Sequence, residues 1–122
     1  MSTLDPTVKL SIVKTDKRFI GSEILKYVIS LHPATSSPPN YYFGSIYPKI
    51  HSRTNRILNF NMIRDWCIQT WGMSCERTLY LDLKLFDIDT INKHWCWHTD
   101  GNEFKIYLMS EKDLNWFKLK WV

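Results

Sequence analysis

Glycine is scarce in this chain of 122 residues, with four in all. Scattered as they are, they cannot build the glycine-rich loop that cradles a phosphate at a helix N-terminus. Cysteine is nearly as rare. Cys67, Cys75 and Cys96 form an odd, sparse set, which argues against the disulfide framework of a small secreted domain. There is no CxxC and no HExxH, the short signatures of many zinc sites. No apolar run approaches the roughly 20 residues that span a bilayer. The opening MSTLDPTVKLSIVKTDK carries charges throughout and lacks the basic-then-apolar order of a leader. The compartment implied is a reducing cytoplasm, and no membrane partner is expected.

Acidic residues are missing from one long segment. Between Glu23 and Asp65 there are none, while Lys26, Lys49, Arg53, Arg56 and Arg64 are present. Residues 1–60 hold eight Lys/Arg and three acids, for +5, and residues 61–122 hold eight and nine, for −1. Such a segment could meet an anionic partner, or be a mildly basic solvated surface. Net charge of +4 argues against mimicry of DNA, which needs a dense acidic surface.

What the chain has in quantity is aromatic residues: six Trp, six Tyr and six Phe. Its length fits one domain, residues 1–122, able to bury a core without staples. TVKLSIVK (7–14) alternates and predicts a strand. GSEILKYVISLH (21–32) fits a helix, with Ser22 as N-cap and Ile24, Leu25, Val28 and Leu31 at helical spacing. PATSSPPN (33–40) is rich in Pro and Ser and predicts an exposed loop. YYFGSIYPKI (41–50) reads as extended chain, HSRTNR as a turn and ILNF as another short extended piece. NFNMIRDWCIQTWG (59–72) is the clearest helix, with Met62, Ile63, Trp66, Cys67 and Thr70 or Trp71 as its apolar stripe and Gly72 closing it. TLYLDLKLF (78–86) alternates and predicts a strand, and DIDTIN a loop.

A hairpin follows. With Asp100-Gly101 as a two-residue turn, Trp97 faces Phe104 and Trp95 faces Ile106, while His98, Cys96 and His94 meet Glu103, Lys105 and Tyr107 on the other side. The last segment predicts a helix capped by Ser110, with Asp113 at N3 and Met109 against Leu114 as a staple. Its tail WFKLKWV also alternates, so a terminal short strand is the alternative. These elements sum to an α+β fold: a mostly antiparallel sheet with two to three helices packed on one face, a two-layer sandwich.

The motif NKHWCWHTDG draws attention to metal chemistry. His94, Cys96 and His98 alternate on a strand and so share a face, but His94 and His98 are then about 13 Å apart, too far for one zinc ion. The simpler reading is a solvated or loosely hydrogen-bonded strand face. Cys96 flanked by histidines is a poor nucleophile arrangement, because i, i+2 neighbours stand side by side. Paired His-x-Thr/Ser motifs are missing too: His51 precedes Ser-Arg and His98 precedes Thr-Asp. No catalytic residue, metal ligand or cofactor is assigned. A better candidate is YYFGSIYPKIHSRTNR, where Tyr41, Tyr42 and Tyr47 interleave with Lys49, His51, Arg53 and Arg56. Aromatic faces stack bases and cations hold phosphates, so this stretch is the candidate binding surface. Its alternative is core and loop packing.

The second half resembles small uncharacterised proteins of large tailed bacteriophages, over roughly residues 60–122. The resemblance rests on Trp66, Cys67, Trp71 and Gly72 in the helix, and on Phe117, Lys118, Leu119, Lys120 and Trp121 at the end. It implies a context, the cytoplasm of an infected host cell, and no activity. The resulting expectation is a non-enzymatic protein that binds a host or viral macromolecule, a host-takeover or anti-defence inhibitor acting by steric occlusion through 33–56. A nucleic-acid-binding module using 41–56 is the alternative, and a minor virion structural protein a further one.

Overall fold

Strand β1, Val8–Lys14, forms where sequence alternation places it, and it zips antiparallel onto β2, Tyr27–Pro33. The computed structural model describes residues 4, 8–19, 21–33, 46–85, 91–101 and 103–122, with backbone alone for 46–53. Residues 27–32, the larger part of the helix expected over 21–32, form a strand instead, and it runs on to Pro33. Val28 and Leu31 fit the helical period, but Tyr27, Ile29 and Leu31 alternate, and β-branched Val28 and Ile29 favour extended backbone. Only a single turn survives of the expected helix, with the N–H groups of Ile24 and Leu25 both donating to the Gly21 carbonyl.

The long helix α1 spans Ile46–Trp71. It absorbs the second half of 41–50 and all of HSRTNR and ILNF, which the sequence reads as extended chain and turn. Pro48 falls within the first turn, where its missing N–H breaks no helical bond. Phe60, Ile63 and Cys67 are buried along its inner face, whereas Met62 turns outward. Gly72, at φ 95, ends the helix as the spacing requires, and its N–H donates to the Ile68 carbonyl.

Helix α2, Arg77–Leu85, takes the place of the expected strand 78–86 as far as residue 85, and residue 86 lies outside the described residues. Leucine is a strong helix former, and nine residues of alternation are too few to outvote a well-capped start. Glu76 provides that start: its carbonyl accepts from Tyr80 N–H and its carboxylate from Thr78 N–H at 2.7 Å.

Strands β3, Trp95–Asp100, and β4, Glu103–Leu108, form the expected hairpin in a different register. Asp100 pairs with Glu103, Thr99 with Phe104 and Trp97 with Ile106. The linking residues are therefore 101 and 102, and Gly101, at φ 56, supplies the left-handed turn position. Each partner moves by two residues, so both faces keep their expected members. The shift also brings Leu108 opposite Trp95, with both fully buried. Helix α3, Glu111–Trp121, begins as expected at Ser110, whose side-chain oxygen accepts from Asp113 N–H at 3.1 Å. The terminal segment is helix rather than strand.

The sheet is antiparallel in the order β1-β2-β4-β3, and the fold is α+β. Helices α1 and α3 form the expected layer on one face. They cover Ile29, Leu31, Trp95, Phe104, Ile106 and Leu108, which together with Ile63, Phe117 and Trp121 make the main core. The third helix, α2, meets the reverse face. There Tyr80 packs with Leu25, Cys96 and Tyr107 in a second core, and Phe19 stacks on Tyr107 with ring centroids 5.5 Å apart. No described helix is long and apolar enough to cross a membrane.

Candidate functional site

Histidine and cysteine in the HWCWH motif go to three separate partners. His94 lies with Nδ1 3.1 Å from Asp113 Oδ2 and stacks on Trp71, centroids 6.1 Å apart. Cys96 is fully buried in the second core. His98 Nδ1 sits 2.6 Å from Glu76 Oε1 at the start of α2. The face expected to be solvated is thus packed over β3 and β4, because α2 lies against it. Burial raises the Cys96 thiol well above its usual range, which disfavours the thiolate that catalysis needs. Burial likewise pushes the Tyr80 hydroxyl up to about 12. Among the described residues, no group of three His, Cys, Asp or Glu side chains comes together to hold a metal ion.

The basic aromatic stretch is only partly in view. Tyr41 and Tyr42 lie outside the described residues. Tyr47, Lys49, His51 and Arg53 fall in the first two turns of α1, not on an extended strand. Arg56 is half-buried, with its guanidinium 5.6 Å from the centroid of Phe104. One face further along the same helix, Arg64 lies over both Phe60, at 5.4 Å, and Trp97, at 4.7 Å. These arginines therefore bind α1 to the hairpin through cation–π contacts, each worth about 0.5–1 kcal/mol at such sites.

A more accessible surface lies between α1 and α3. Trp66, Thr70, Trp116, Leu119 and Lys120 line an open groove of about 510 Å³. Its floor is packed against the core: Trp66 meets Trp71, Phe117 and Trp121 edge-on, with centroids 5.2, 5.9 and 6.2 Å apart. Its wall is exposed: Trp116 keeps 54% of its surface and Leu119 73%. Sequence reading missed both residues. Their signal was available as an i, i+3 apolar pair on α3, turned away from the core positions Leu114, Phe117 and Trp121. Large exposed aromatics beside an apolar concavity mark association surfaces, where Trp is enriched among the residues that carry binding energy.

Two polar clamps were also missed. The Asn92 side-chain amide donates to the carbonyls of Trp71, Gly72 and Met73, while its Oδ1 accepts from His94 and Trp95 N–H. Glu76 links α2 to β3 through His98. Neither residue occupies a recognisable motif.

Searches against protein-family models, curated proteins and solved structures find no match to this chain.

Proposed function

We propose that this chain is a non-enzymatic binding protein of a tailed phage, acting in the infected host cytoplasm by occluding a surface of a host or phage protein. The groove between α1 and α3 carries this reading, with Trp116 and Leu119 exposed above a packed tryptophan floor. A channel between two helices suits a third helix, laid in by its apolar stripe. Lys120 lines the groove, and Lys112 and Lys118 are exposed on the same short helix. The fitting partner segment is therefore an amphipathic helix with acids flanking its apolar residues. Inhibition of a host or defence factor by this route requires no catalytic group.

The test uses tagged protein in lysate of infected cells, followed by titration against the purified partner. Paired substitution Trp116→Ala and Leu119→Ser is expected to weaken that titration at least about tenfold, the loss of one hot-spot contact, with the fold intact by circular dichroism. Equal affinity of wild type and variant would end the groove reading.

A nucleic-acid module using 41–56 is the second reading, supported by Lys49, His51, Arg53 and Arg56 following one another along the start of α1. Phosphate-driven binding should weaken steeply with salt. Absence of measurable DNA or RNA binding at low salt would remove it. Recovery in purified particles by mass spectrometry would favour instead a minor virion component.

A further inference from the structure

Residues 74–76 run beside β3 as a short parallel partner. Ser74 Oγ donates to the Trp95 carbonyl at 2.6 Å, Trp97 N–H donates to the Cys75 carbonyl, and Glu76 bridges Trp97 in parallel sense. This register sets residue 75 opposite residue 96. Both are cysteines, and both are free. Directly opposed residues point to the same side of a parallel pair. Accordingly, Cys75 packs against the very cluster that buries Cys96. Paired strands lie about 4.8 Å apart, inside the roughly 4.4–6.8 Å between α-carbons that a disulfide bridges. The two differ in access: Cys75 is half-buried and Cys96 is fully buried in one cluster with Leu25, Tyr80 and Tyr107. The third thiol, Cys67, lies in the main core on the other face of the sheet.

We propose that Cys75 and Cys96 are an oxidation site, closed to an intramolecular disulfide by peroxide, with Cys75 reacting first and Cys96 resolving. The Cys75 thiolate attacks one peroxide oxygen, breaking the O–O bond and giving a sulfenic acid and hydroxide. Cys96 sulfur then attacks the sulfenic sulfur, and water leaves as the S–S bond forms. In total, two thiols lose two electrons and two protons, and one peroxide becomes two waters. The new bond spans residues 76–95 and so ties the start of α2 to β3. Burial, followed by the neighbouring Glu76 charge, raises the Cys75 thiol. Oxidation is accordingly slow at neutral pH and suits a sustained oxidant more than a brief signal.

The reduced chain of 122 residues is treated with excess hydrogen peroxide at mildly alkaline pH, unfolded and alkylated with N-ethylmaleimide. One maleimide per chain is expected where untreated protein takes three. A non-reducing tryptic digest should join peptide 65–77 to peptide 94–105. Trypsin leaves Cys67 and Cys75 together in 65–77, so fragmentation of the joined species, or the Cys67→Ala variant, locates the bond. Cys75→Ser should take two maleimides before and after peroxide. Three maleimides on treated wild type, sulfinic acid at Cys75 without a cross-link, a bond from Cys67, or a covalent dimer would each overturn the assignment.

Discussion

The Asn92 amide reaches carbonyls that helix α1 cannot satisfy itself. A helix leaves its last carbonyls without intrahelical donors, and here Trp71, Gly72 and Met73 receive one from a residue some twenty positions later. At the same time Asn92 Oδ1 collects the N–H groups that open β3. One side chain therefore ties the end of α1 to the start of β3, beside the Trp95 indole N–H that also donates to the Gly72 carbonyl. Asn92→Ala is expected to destabilise the fold by about 2 kcal/mol, since several polar groups lose their partner together. Asn92→Asp keeps the acceptor but sets a carboxylate against carbonyl oxygens, so it should be no better than alanine. Urea denaturation midpoints at unchanged slope would measure both, and a loss below about 0.5 kcal/mol would contradict the clamp. Nothing in DIDTIN marks this residue, because its partners are set by tertiary placement alone.

Helix α2 shows where pattern and structure part. Its leucines alternate like a strand, yet the helix buries only Tyr80 among its described side chains and leaves Leu79 and Leu85 exposed. The start is decided by Glu76, whose carboxylate faces both the first turn and His98. In the reverse case, 27–32 obeys helical spacing and forms a strand, because β1 and β4 both pair with it. By contrast β1, the lower half of α1, the hairpin apart from its register, and the start of α3 were legible, since each has a strong period and a cap or turn. Glu76 also gives α2 a pH dependence. Burial pushes its carboxyl up, but the bonds from His98 and Thr78 together outweigh that and leave it below the usual value. A depressed folded pKa means stability that is present above the carboxylate range and lost as pH falls through it. Glu76→Gln is expected to cost about 1 kcal/mol at neutral pH and to flatten the stability profile below about pH 5. An unchanged acid limb in the variant would show that other carboxylates govern acid unfolding.

At the scale of the molecule, two cores share one sheet, and they are unequal. The α1–α3 side holds the large cluster with Trp95, Phe60 and Phe117, whereas the α2 side holds Leu25, Tyr80, Cys96 and Tyr107. The candidate groove belongs to this same scale. It joins Trp66 from α1 to Trp116 and Leu119 from α3, so the sequence displays its parts but not their adjacency. Stability should follow the inequality of the cores. Strands β2 and β4 are hydrogen-bonded on both sides, and Ile29, Ile106 and Leu108 are fully buried. Their amides should exchange only on global unfolding. Helix α2 is held by one buried tyrosine whose hydroxyl donates to the Asn92 carbonyl, by Leu81 against the small second core, by the Glu76–His98 contact, and by Arg77 over the stacked Phe19–Tyr107 pair. Amides of Leu81 to Leu85 should therefore exchange through a local opening, at least about tenfold faster than Ile106. Amide exchange followed by NMR resolves the two classes. If α2 protects its amides as well as β4 does, the second core opens only with the first, and the sheet and all three helices unfold as one cooperative unit.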